Sequence, residues 1–300
     1  MTTPSASTLA AFGLIGTPTP VRGGRGLCYR IANTILKPSD DSTESEFAAS
    51  LSAALLAGNP TAYRLAVPLP SRRAPTTFVV NDWTASTFLP GAVSLSDFPQ
   101  LFSAVRAFHA DVGTRVTSKP SAIADRAFNR FDEADRVTWD EKPLASVAKL
   151  HTDMLTQLQP ILTRLRASMR PLAYDDPLLA CQLVHMDLLG NVLFDEHKPP
   201  GLIDLTFYWR PATYAEAVVV ADGLTRLGKN EAWELLDLYL SDENGKRKGE
   251  RETRVQLLAR ALHWRYLCFA IDPDLDWIKI NLPQADYAGA TDIVCGLCAC

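Results

Sequence analysis

The sequence predicts an α+β fold of two lobes, in which a small β-rich lobe precedes a larger, mainly helical one. Short runs of β-type residues are concentrated before residue 90, and alternating apolar residues are typical of half-buried strands. After a Pro-Gly break at residues 90–91, most apolar residues recur at spacings of three or four, as they do along helices. We therefore expect lobes at residues 1–89 and 90–300, with a ligand cleft between them.

The composition is that of an ordinary globular chain and argues against two classes of partner. Hydrophobic residues make up 47% of the 300 positions and charged residues 21%, with a net charge of −4. That balance offers no broad basic surface for nucleic acid. No apolar run reaches the roughly 18 residues that a membrane span needs. Residues 1–18 lack a basic region ahead of their short apolar stretch, so they read poorly as a signal peptide and the cytoplasm is the expected compartment.

A glycine-rich turn followed by strands is expected at residues 21–37. The turn contains Gly23, Gly24 and Gly26, and glycines let backbone N–H groups approach phosphate oxygens without obstruction by side chains. Glycine clusters more often mark ordinary turns, so this motif alone does not predict a phosphate site. Alternating apolar residues place Lys37 at a strand end, where a lysine is usually only a solvated charge.

A helix is predicted within residues 38–58, with Ser42 or Thr43 as its N-terminal cap. Its apolar residues recur every four positions, which puts Glu44 near the inward face and Glu46 towards solvent. A helix glutamate in this position can hold the strand-end lysine against nucleotide phosphates. If Lys37 pairs with Glu44, a phosphate site and an ordinary turn are equally good interpretations of residues 21–37.

The strongest chemical signal is HMDLLGNVLFD at residues 185–195, followed by GLIDL at 201–205. Asp187, Asn191 and Asp204 flank two apolar, strand-like runs in these segments. Phosphoryl transfer needs one carboxylate to orient the acceptor hydroxyl and take its proton, and an amide with a second carboxylate to hold Mg²⁺. Each residue alone could make an Asx turn or end a strand, but the three together favour phosphoryl transfer.

These motifs resemble those of the aminoglycoside phosphotransferase and choline kinase group, which has a bilobal protein-kinase-like fold. The resemblance covers residues 20–270 and includes WTASTFLPG at 83–91, FHADV at 108–112 and FYWRPATYAEAVVVAD at 207–222, in the required order. It is closest to a little-characterised branch with a shortened catalytic loop. The resemblance implies a phosphotransferase that uses ATP and Mg²⁺ to phosphorylate a hydroxyl of a small molecule.

The resemblance also implies a role for individual residues. Asp187 would be the catalytic carboxylate, with His185 bracing its loop, and Asn191 and Asp204 would be the Mg²⁺ ligands. The residues implied to contact the nucleotide are Gly23, Gly24 and Gly26, an ion pair of Lys37 with Glu44, and the adenine-bordering Ser86, Thr87, Phe88 and Leu89.

Three features depart from the pattern of the group. Met186 replaces the usual glycine after the histidine, and Asn191 follows Asp187 by four positions instead of five. Both put catalytic efficiency in doubt. Asp204 is followed by aromatic residues at 207–209, which either shape an acceptor pocket or belong to the core.

Two other functions compete with a kinase. A nucleotide-binding regulator with little turnover is compatible with the shortened loop. A metal-dependent hydrolase would use His185, Asp187 and His197 as ligands, but it leaves the glycine turn and Lys37 unexplained. No D-F-G or A-P-E segment is present, so the sequence does not support a protein kinase with an activation loop.

The acceptor is not identified by the sequence. Four acidic residues are candidates for binding a cationic acceptor, although acidic surface loops look the same: Asp222, Asp272, Asp274 and Asp276. The tail with Cys295, Cys298 and Cys300 is one thiol short of a closed zinc site, so we expect a packed or disordered end there.

Overall fold

The computed structural model describes residues 3–21, 27–173, 175–241 and 248–299. The fold is α+β, as predicted. By packing, the chain divides into unit 1, comprising Met1–Ser94, Ser103–Ala127 and Gly190–Phe207, and unit 2, comprising Leu95–Phe102, Phe128–Leu189 and Tyr208–Cys300. Within the described ranges, no helix combines the length and apolarity needed to cross a membrane.

Eleven strands are found in the described residues. They are β1 Thr19–Pro20, β2 Tyr29–Ile31, β3 Thr34–Pro38, β4 Arg64–Leu65, β5 Val79–Val80, β6 Trp83–Thr87, β7 Ala92–Val93, β8 Cys181–His185, β9 Val192–Asp195, β10 Lys198–Leu202 and β11 Phe207–Pro211.

Eleven α-helices accompany them. They are α1 Ala6–Phe12, α2 Ser42–Ala57, α3 Phe98–Arg115, α4 Ser121–Ala124, α5 Arg130–Thr138, α6 Thr152–Ser168, α7 Ala212–Arg226, α8 Lys229–Leu240, α9 Lys248–Leu267, α10 Leu275–Asn281 and α11 Tyr287–Ala299.

Unit 1 is built on two sheets. The first has the order β1-β2-β3-β6-β5 and is antiparallel throughout. The second has the order β4-β10-β9-β7, in which only the β10–β4 pair is parallel. Alternate residues of β2, β3 and β6 point into one apolar cluster, which also receives Phe12 from α1. This alternation is the period-two pattern read from the sequence.

The turn between β5 and β6 shows why these short strands pair. Asn81 and Asp82 have φ values of 51° and 59°, the left-handed conformation that a two-residue hairpin turn of type I′ requires. Asn and Asp tolerate this conformation better than other residues with a Cβ. The turn therefore fixes the register in which Val80 pairs with Trp83.

The predicted helix of residues 38–58 is α2, but two details differ from the prediction. Its N-cap is Asp41, whose carboxylate accepts hydrogen bonds from the N–H groups of Thr43 and Glu44. Glu46 does not simply face solvent: its carboxylate accepts the backbone N–H groups of Phe78 and Val79, at 2.8 Å each for the shortest contacts. The glutamate thus ties α2 to the edge strand β5.

Unit 2 is organised around α9. This helix packs against α5, α6, α7, α8 and α11, and its residues from Val255 to Trp264 are all buried. β8 and β11 pair as a two-stranded sheet, and α7 follows β11 directly. A helix whose C-terminal half is buried on nearly every side serves as the centre of a helical layer.

Both ends of the described chain contain a helix. Ser5 caps the short helix α1 through its hydroxyl. Cys295 and Cys298 fall on α11, which packs against α6 and α9, so the packed alternative holds for these two cysteines. Cys300 lies outside the described residues.

Candidate functional site

In unit 1 the structure brings Lys37 and Asp204 together. Lys37 lies on β3, and its Nζ forms an ion pair with Oδ1 of Asp204, which follows β10 by two residues. Burial acts against the charge on Lys37, but the carboxylate of Asp204 outweighs it and raises the pKa of the lysine. Two residues that are 167 positions apart thus form one charged pair.

Asp204 adopts an uncommon backbone conformation. Its φ is 54°, in the left-handed region that costs a residue with a Cβ of the order of 1–2 kcal/mol. Its carbonyl oxygen accepts a hydrogen bond from the Thr206 hydroxyl at 3.1 Å, which stabilises the turn. Strained backbone of this kind is concentrated at functional sites.

Asn191 lies at the same end of the β9–β10 hairpin as Asp204. Its carbonyl oxygen accepts the N–H of Ile203 at 3.0 Å, one step beyond the pairing of Val192 with Leu202. The strand register therefore carries Asn191 and Asp204 to the same edge, and an amide with a carboxylate is a donor set that suits Mg²⁺.

Glu44 does not pair with Lys37 as the resemblance implied. Its carboxylate accepts a hydrogen bond of 2.8 Å from Arg126, whose side chain is only 3% exposed. The same Nη2 of Arg126 donates to the carbonyl oxygen of Phe207 at 2.6 Å. Arg126 therefore links α2 to the segment that follows Asp204, and sequence reasoning did not find it.

Two of the three aromatic residues after Asp204, Phe207 and Tyr208, belong to the core, whereas Trp209 is half-buried. Phe207 is fully buried and packs in unit 1 against Phe47 and Phe108, with ring centroids 6.2 and 6.5 Å away. Tyr208 packs in unit 2 edge-on against Trp264, 5.6 Å away. Of the two alternatives left open by the sequence, the structure favours core packing for this aromatic pair.

The residues proposed to border adenine end the strand β6. The N–H groups of Thr87 and Phe88 donate to the carbonyl oxygens of Val67 and Asn33, at 2.9 and 2.8 Å. These two donors are therefore already engaged within unit 1. Leu89 packs close to Gly201, where an added Cβ would approach its Cδ2 to 2.6 Å, so a larger residue at that point of β10 would require the Leu89 side chain to shift.

In unit 2 Asp187 is held by Arg265. The Nη2 atom of Arg265 donates to Asp187 at 2.9 Å and to Asp222 at 2.6 Å. Burial alone would raise the pKa of Asp187, but Arg265 outweighs it and keeps that pKa below its ordinary value. Asp222 is more deeply buried, and its pKa is raised in spite of Arg265. Arg265 lies far away in the chain, so no local motif indicated it.

The residues around Asp187 are packed tightly. His185 ends β8 and is fully buried, and Met186 and Leu188 are fully buried too. The methionine that replaces the usual glycine is therefore a core residue. A buried histidine beside the loop fits the bracing role expected for His185.

Several other sequence candidates have structural partners or cannot be placed. Gly23, Gly24 and Gly26 lie outside the described residues. Asp272 pairs with Lys149, and Asp274 caps α10 through the N–H of Trp277.

Asp276 is fully solvated beside Lys279. Within the part of the chain that the structure describes, no three His, Cys, Asp or Glu side chains assemble into a metal site.

Solved structures match the chain, whereas no family model and no curated protein does. Spectinomycin phosphotransferase APH(9)-Ia, in complex with ADP and spectinomycin, is 15% identical, with a TM-score of 0.54 over 97% of this chain and 95% of that chain. The microcompartment-associated aminopropanol kinase is 14% identical, with a TM-score of 0.53 over 98% and 94% of the two chains. A thermostable mutant of aminoglycoside phosphotransferase APH(4)-Ia is 15% identical, with a TM-score of 0.51 and 96% coverage of both.

These matches span nearly the whole of each chain and share one architecture. The resemblance read from the sequence motifs is thereby confirmed at the level of the fold. The chain has the protein-kinase-like fold found in aminoglycoside phosphotransferases.

Proposed function

We propose that the protein is a phosphotransferase that uses ATP and Mg²⁺ to phosphorylate a hydroxyl group of a small molecule. The observation that carries the proposal is the ion pair of Lys37 with Asp204, because a strand lysine and a metal-binding carboxylate meet at the phosphates in this chemistry. The fold, shared with spectinomycin phosphotransferase and aminopropanol kinase, supports the same class of reaction. We also propose lobes at residues 1–89 and 90–300.

The donor side of the reaction is assigned to residues of unit 1. Lys37 would bind the α- and β-phosphates, under the glycines of residues 23–26, and Ser86–Leu89 would border the adenine. In this proposal Glu44 acts indirectly, because Arg126 connects it to the segment after Asp204. Adenine nucleotide as the donor agrees with the ADP bound by spectinomycin phosphotransferase.

Asn191 and Asp204 are the proposed Mg²⁺ ligands. They offer one amide and one carboxylate at the same hairpin edge, and hard oxygen donors of this kind suit Mg²⁺, which usually keeps several waters. The left-handed backbone conformation of Asp204 fixes the direction in which its side chain leaves the main chain. A bound Mg²⁺ would supply neutralisation of the phosphate charge.

Asp187 is the proposed catalytic carboxylate. It would orient the acceptor hydroxyl and take its proton, and it must be ionised to do so. Arg265 favours that ionised form, and Asp222 anchors Arg265 from the buried side. Arg265 is a positioning residue in this scheme, because it acts through Asp187.

A nucleotide-binding regulator with little turnover is the second candidate. The observation that favours it is the ion pair of Arg265 with Asp187. A carboxylate held by a guanidinium is a weaker proton acceptor than a free one. The loop that is one residue short points in the same direction. The regulator would bind the nucleotide at the same site as the phosphotransferase, and the two differ only in whether the γ-phosphate is transferred to an acceptor.

The two candidates are separated by measuring binding and transfer in the same preparations. Thermal unfolding would be followed for the parent and Asp204→Ala with and without Mg-ATP, since a ligand that binds only the folded state raises the Tm. Transfer of the γ-phosphate would be followed for the parent and Asp187→Asn across a panel of hydroxyl-bearing metabolites.

A kinase predicts a Mg-ATP-dependent rise in Tm that Asp204→Ala loses, and transfer that Asp187→Asn abolishes. A regulator predicts the same rise in Tm and no transfer with any acceptor. A folded parent protein whose Tm does not respond to Mg-ATP would contradict both.

A further inference from the structure

A basic cavity lies in unit 2, and none of its lining residues is assigned above to phosphoryl transfer. It has a volume of about 260 Å³ and is lined by Arg166, Arg170 and Arg260, together with Asp140 and the indole of Trp139. This volume is just under the range of about 300–1,000 Å³ that is usual for small-molecule sites. The cavity therefore suits a ligand smaller than a nucleotide.

The lining carries an excess of positive charge, with three guanidinium groups against one carboxylate. Arg260 is almost fully buried, and it donates to the carbonyl oxygens of Gln256 at 3.1 Å and of Arg170 at 2.7 Å. Both of these acceptors are uncharged carbonyl oxygens. The Cζ of Arg260 also lies 5.9 Å from the Trp139 ring centroid, so the floor of the cavity is fixed and cationic.

The neighbouring His263 reports the same positive field. Its Nδ1 lies 2.9 Å from the Thr138 hydroxyl, next to the start of the cavity lining. Burial is the main cause that lowers the pKa of His263 to about 4; the charge of Arg166 adds to it, that of Asp140 opposes it and that of Arg260 adds a smaller effect. The guanidinium charges that disfavour a proton on His263 would favour an anion nearby.

The two arginines at the mouth each combine one exposed ion pair with one backbone contact. Arg166 donates to the carbonyl oxygen of Thr138 at 3.3 Å, and Arg170 donates to that of Cys298 at 2.9 Å. Arg166 pairs with Asp140, and Arg170 pairs with Glu252, and all four side chains are between 44% and 65% exposed. Exposed ion pairs contribute little stability, so an anion can replace either carboxylate at little cost. Each guanidinium has five N–H donors in a planar fork that matches phosphate and carboxylate oxygens.

We propose that this cavity is a binding site for a small organic anion, a phosphate or carboxylate joined to an apolar group. The anionic group binds between Arg166 and Arg170, above the buried charge of Arg260. The apolar part lies against Trp139 and Leu172, which line the same cavity. The site does not depend on the proposed kinase activity.

Inorganic phosphate and phenyl phosphate are the probes, titrated by calorimetry at low ionic strength in a phosphate-free buffer. Phosphate is expected to bind with a Kd of roughly a millimolar, and phenyl phosphate severalfold more tightly because its ring contacts the apolar wall. Arg166→Gln and Arg170→Gln are each expected to weaken binding about tenfold, since each removes a charge-assisted hydrogen bond.

Asp140→Asn provides a change in the opposite direction. It removes the carboxylate that competes for Arg166 and leaves a side chain of nearly the same shape. Phosphate is therefore expected to bind several times more tightly to this variant than to the parent. General damage to the fold would weaken binding, so a gain in affinity identifies the cavity.

Two controls separate this site from other phosphate sites. Arg164→Gln removes an exposed arginine of the same helix, which pairs with Asp292 and does not line the cavity, and it should leave the Kd unchanged. Lys37→Met disables the proposed donor site and should leave the Kd unchanged too.

Three results would overturn the proposal. The first is no saturable phosphate binding to the parent. The second is equal weakening by Arg164→Gln and Arg166→Gln, which would mean that only net charge matters. The third is binding that is lost in Lys37→Met and unchanged in Arg166→Gln, which would assign the phosphate to the donor site.

Discussion

Arg265 and Asp187 are joined by a charge-assisted hydrogen bond of 2.9 Å across 78 residues of sequence. The arginine comes from α9 and the carboxylate from the loop after β8. The Arg265 side chain is 13% exposed, whereas that of Asp187 is 46% exposed. A buried cation thus holds a carboxylate that solvent still reaches, and it keeps that carboxylate ionised.

Replacing Arg265 should shift the pH dependence of catalysis. Arg265 holds the pKa of Asp187 below its ordinary value, so in Arg265→Gln burial dominates and that pKa rises. The carboxylate is then protonated at higher pH, and the acidic limb of the kcat/KM profile should move to higher pH. The measurement is the pH profile of phosphate transfer for parent and variant.

The same substitution also tests the buried end of the network. Asp222 would lose its partner, and an unpaired buried carboxylate costs about 3–5 kcal/mol. Arg265→Lys keeps the charge and serves as the conservative variant, while Arg251→Gln changes an exposed arginine of the same helix. If the acidic limb stays in place in a folded Arg265→Gln protein, Arg265 does not act through Asp187.

Two substitutions of Asp204 separate the effect of its charge on Mg-ATP binding from the effect of its backbone conformation on stability. Asparagine tolerates the left-handed conformation and alanine does not, so Asp204→Ala should lower the free energy of unfolding by about 1 kcal/mol more than Asp204→Asn. Both variants should lose the Tm increase with Mg-ATP, because both remove the anionic oxygen. Urea unfolding and thermal shifts measure the two effects, and a full Mg-ATP response in Asp204→Asn would exclude the carboxylate as a metal ligand.

Arg126 is expected to matter more for stability than its single ion pair suggests. Its side chain is 3% exposed and bonds both Glu44 and the Phe207 carbonyl, so Arg126→Gln should cost about 3 kcal/mol. Lys119→Gln, an exposed change a few residues away, should cost almost nothing. In a double-mutant cycle with Glu44→Gln, the two costs should not add, and simple additivity would show that the pair contributes nothing.

His263 should make the protein less stable in mild acid. Its pKa is about 4 in the folded protein, against the ordinary 6.5, so below about pH 6.5 the unfolded state binds more protons. Stability conferred by neutral His263 is therefore complete above that pH and is lost as the pH falls towards 4, by roughly 3 kcal/mol in total.

His263→Gln should abolish the part of the pH dependence of stability that His263 causes. Urea unfolding at about pH 7 and about pH 5 would show a smaller loss of stability in the variant than in the parent. Equal losses in the two proteins would mean that His263 titrates normally in the folded state.

The local pattern of the sequence accounts for most of the secondary structure near the site. Apolar spacing predicted β3 and α2, because each buries one regular face, and it predicted that helices prevail after residue 91. Asp41 could have been recognised as the cap of α2, since Asp is a stronger N-cap residue than Thr. The predicted caps, Ser42 or Thr43, lie one and two residues after the observed cap.

The side chains that position the site could not be read in the same way. Arg126 meets Glu44 across 82 residues, and Arg265 meets Asp187 across 78, so no spacing rule connects them. Glu46 was placed by the helical period alone, which carries no information about the strand β5 that approaches it. Motifs found Asp187 and Asp204, whereas their partners depend on tertiary packing.

The central position of α9 has a consequence for biosynthesis. Helices α5, α6 and α7 leave the ribosome before it, yet each packs against it. Until Leu267 has emerged, the apolar faces of these helices have no permanent cover, and exposed surface of that kind attracts chaperones and promotes aggregation. A premature stop or a slow stretch of codons ahead of α9 would therefore leave an aggregation-prone nascent chain, in which Asp187 has been made but its arginine has not.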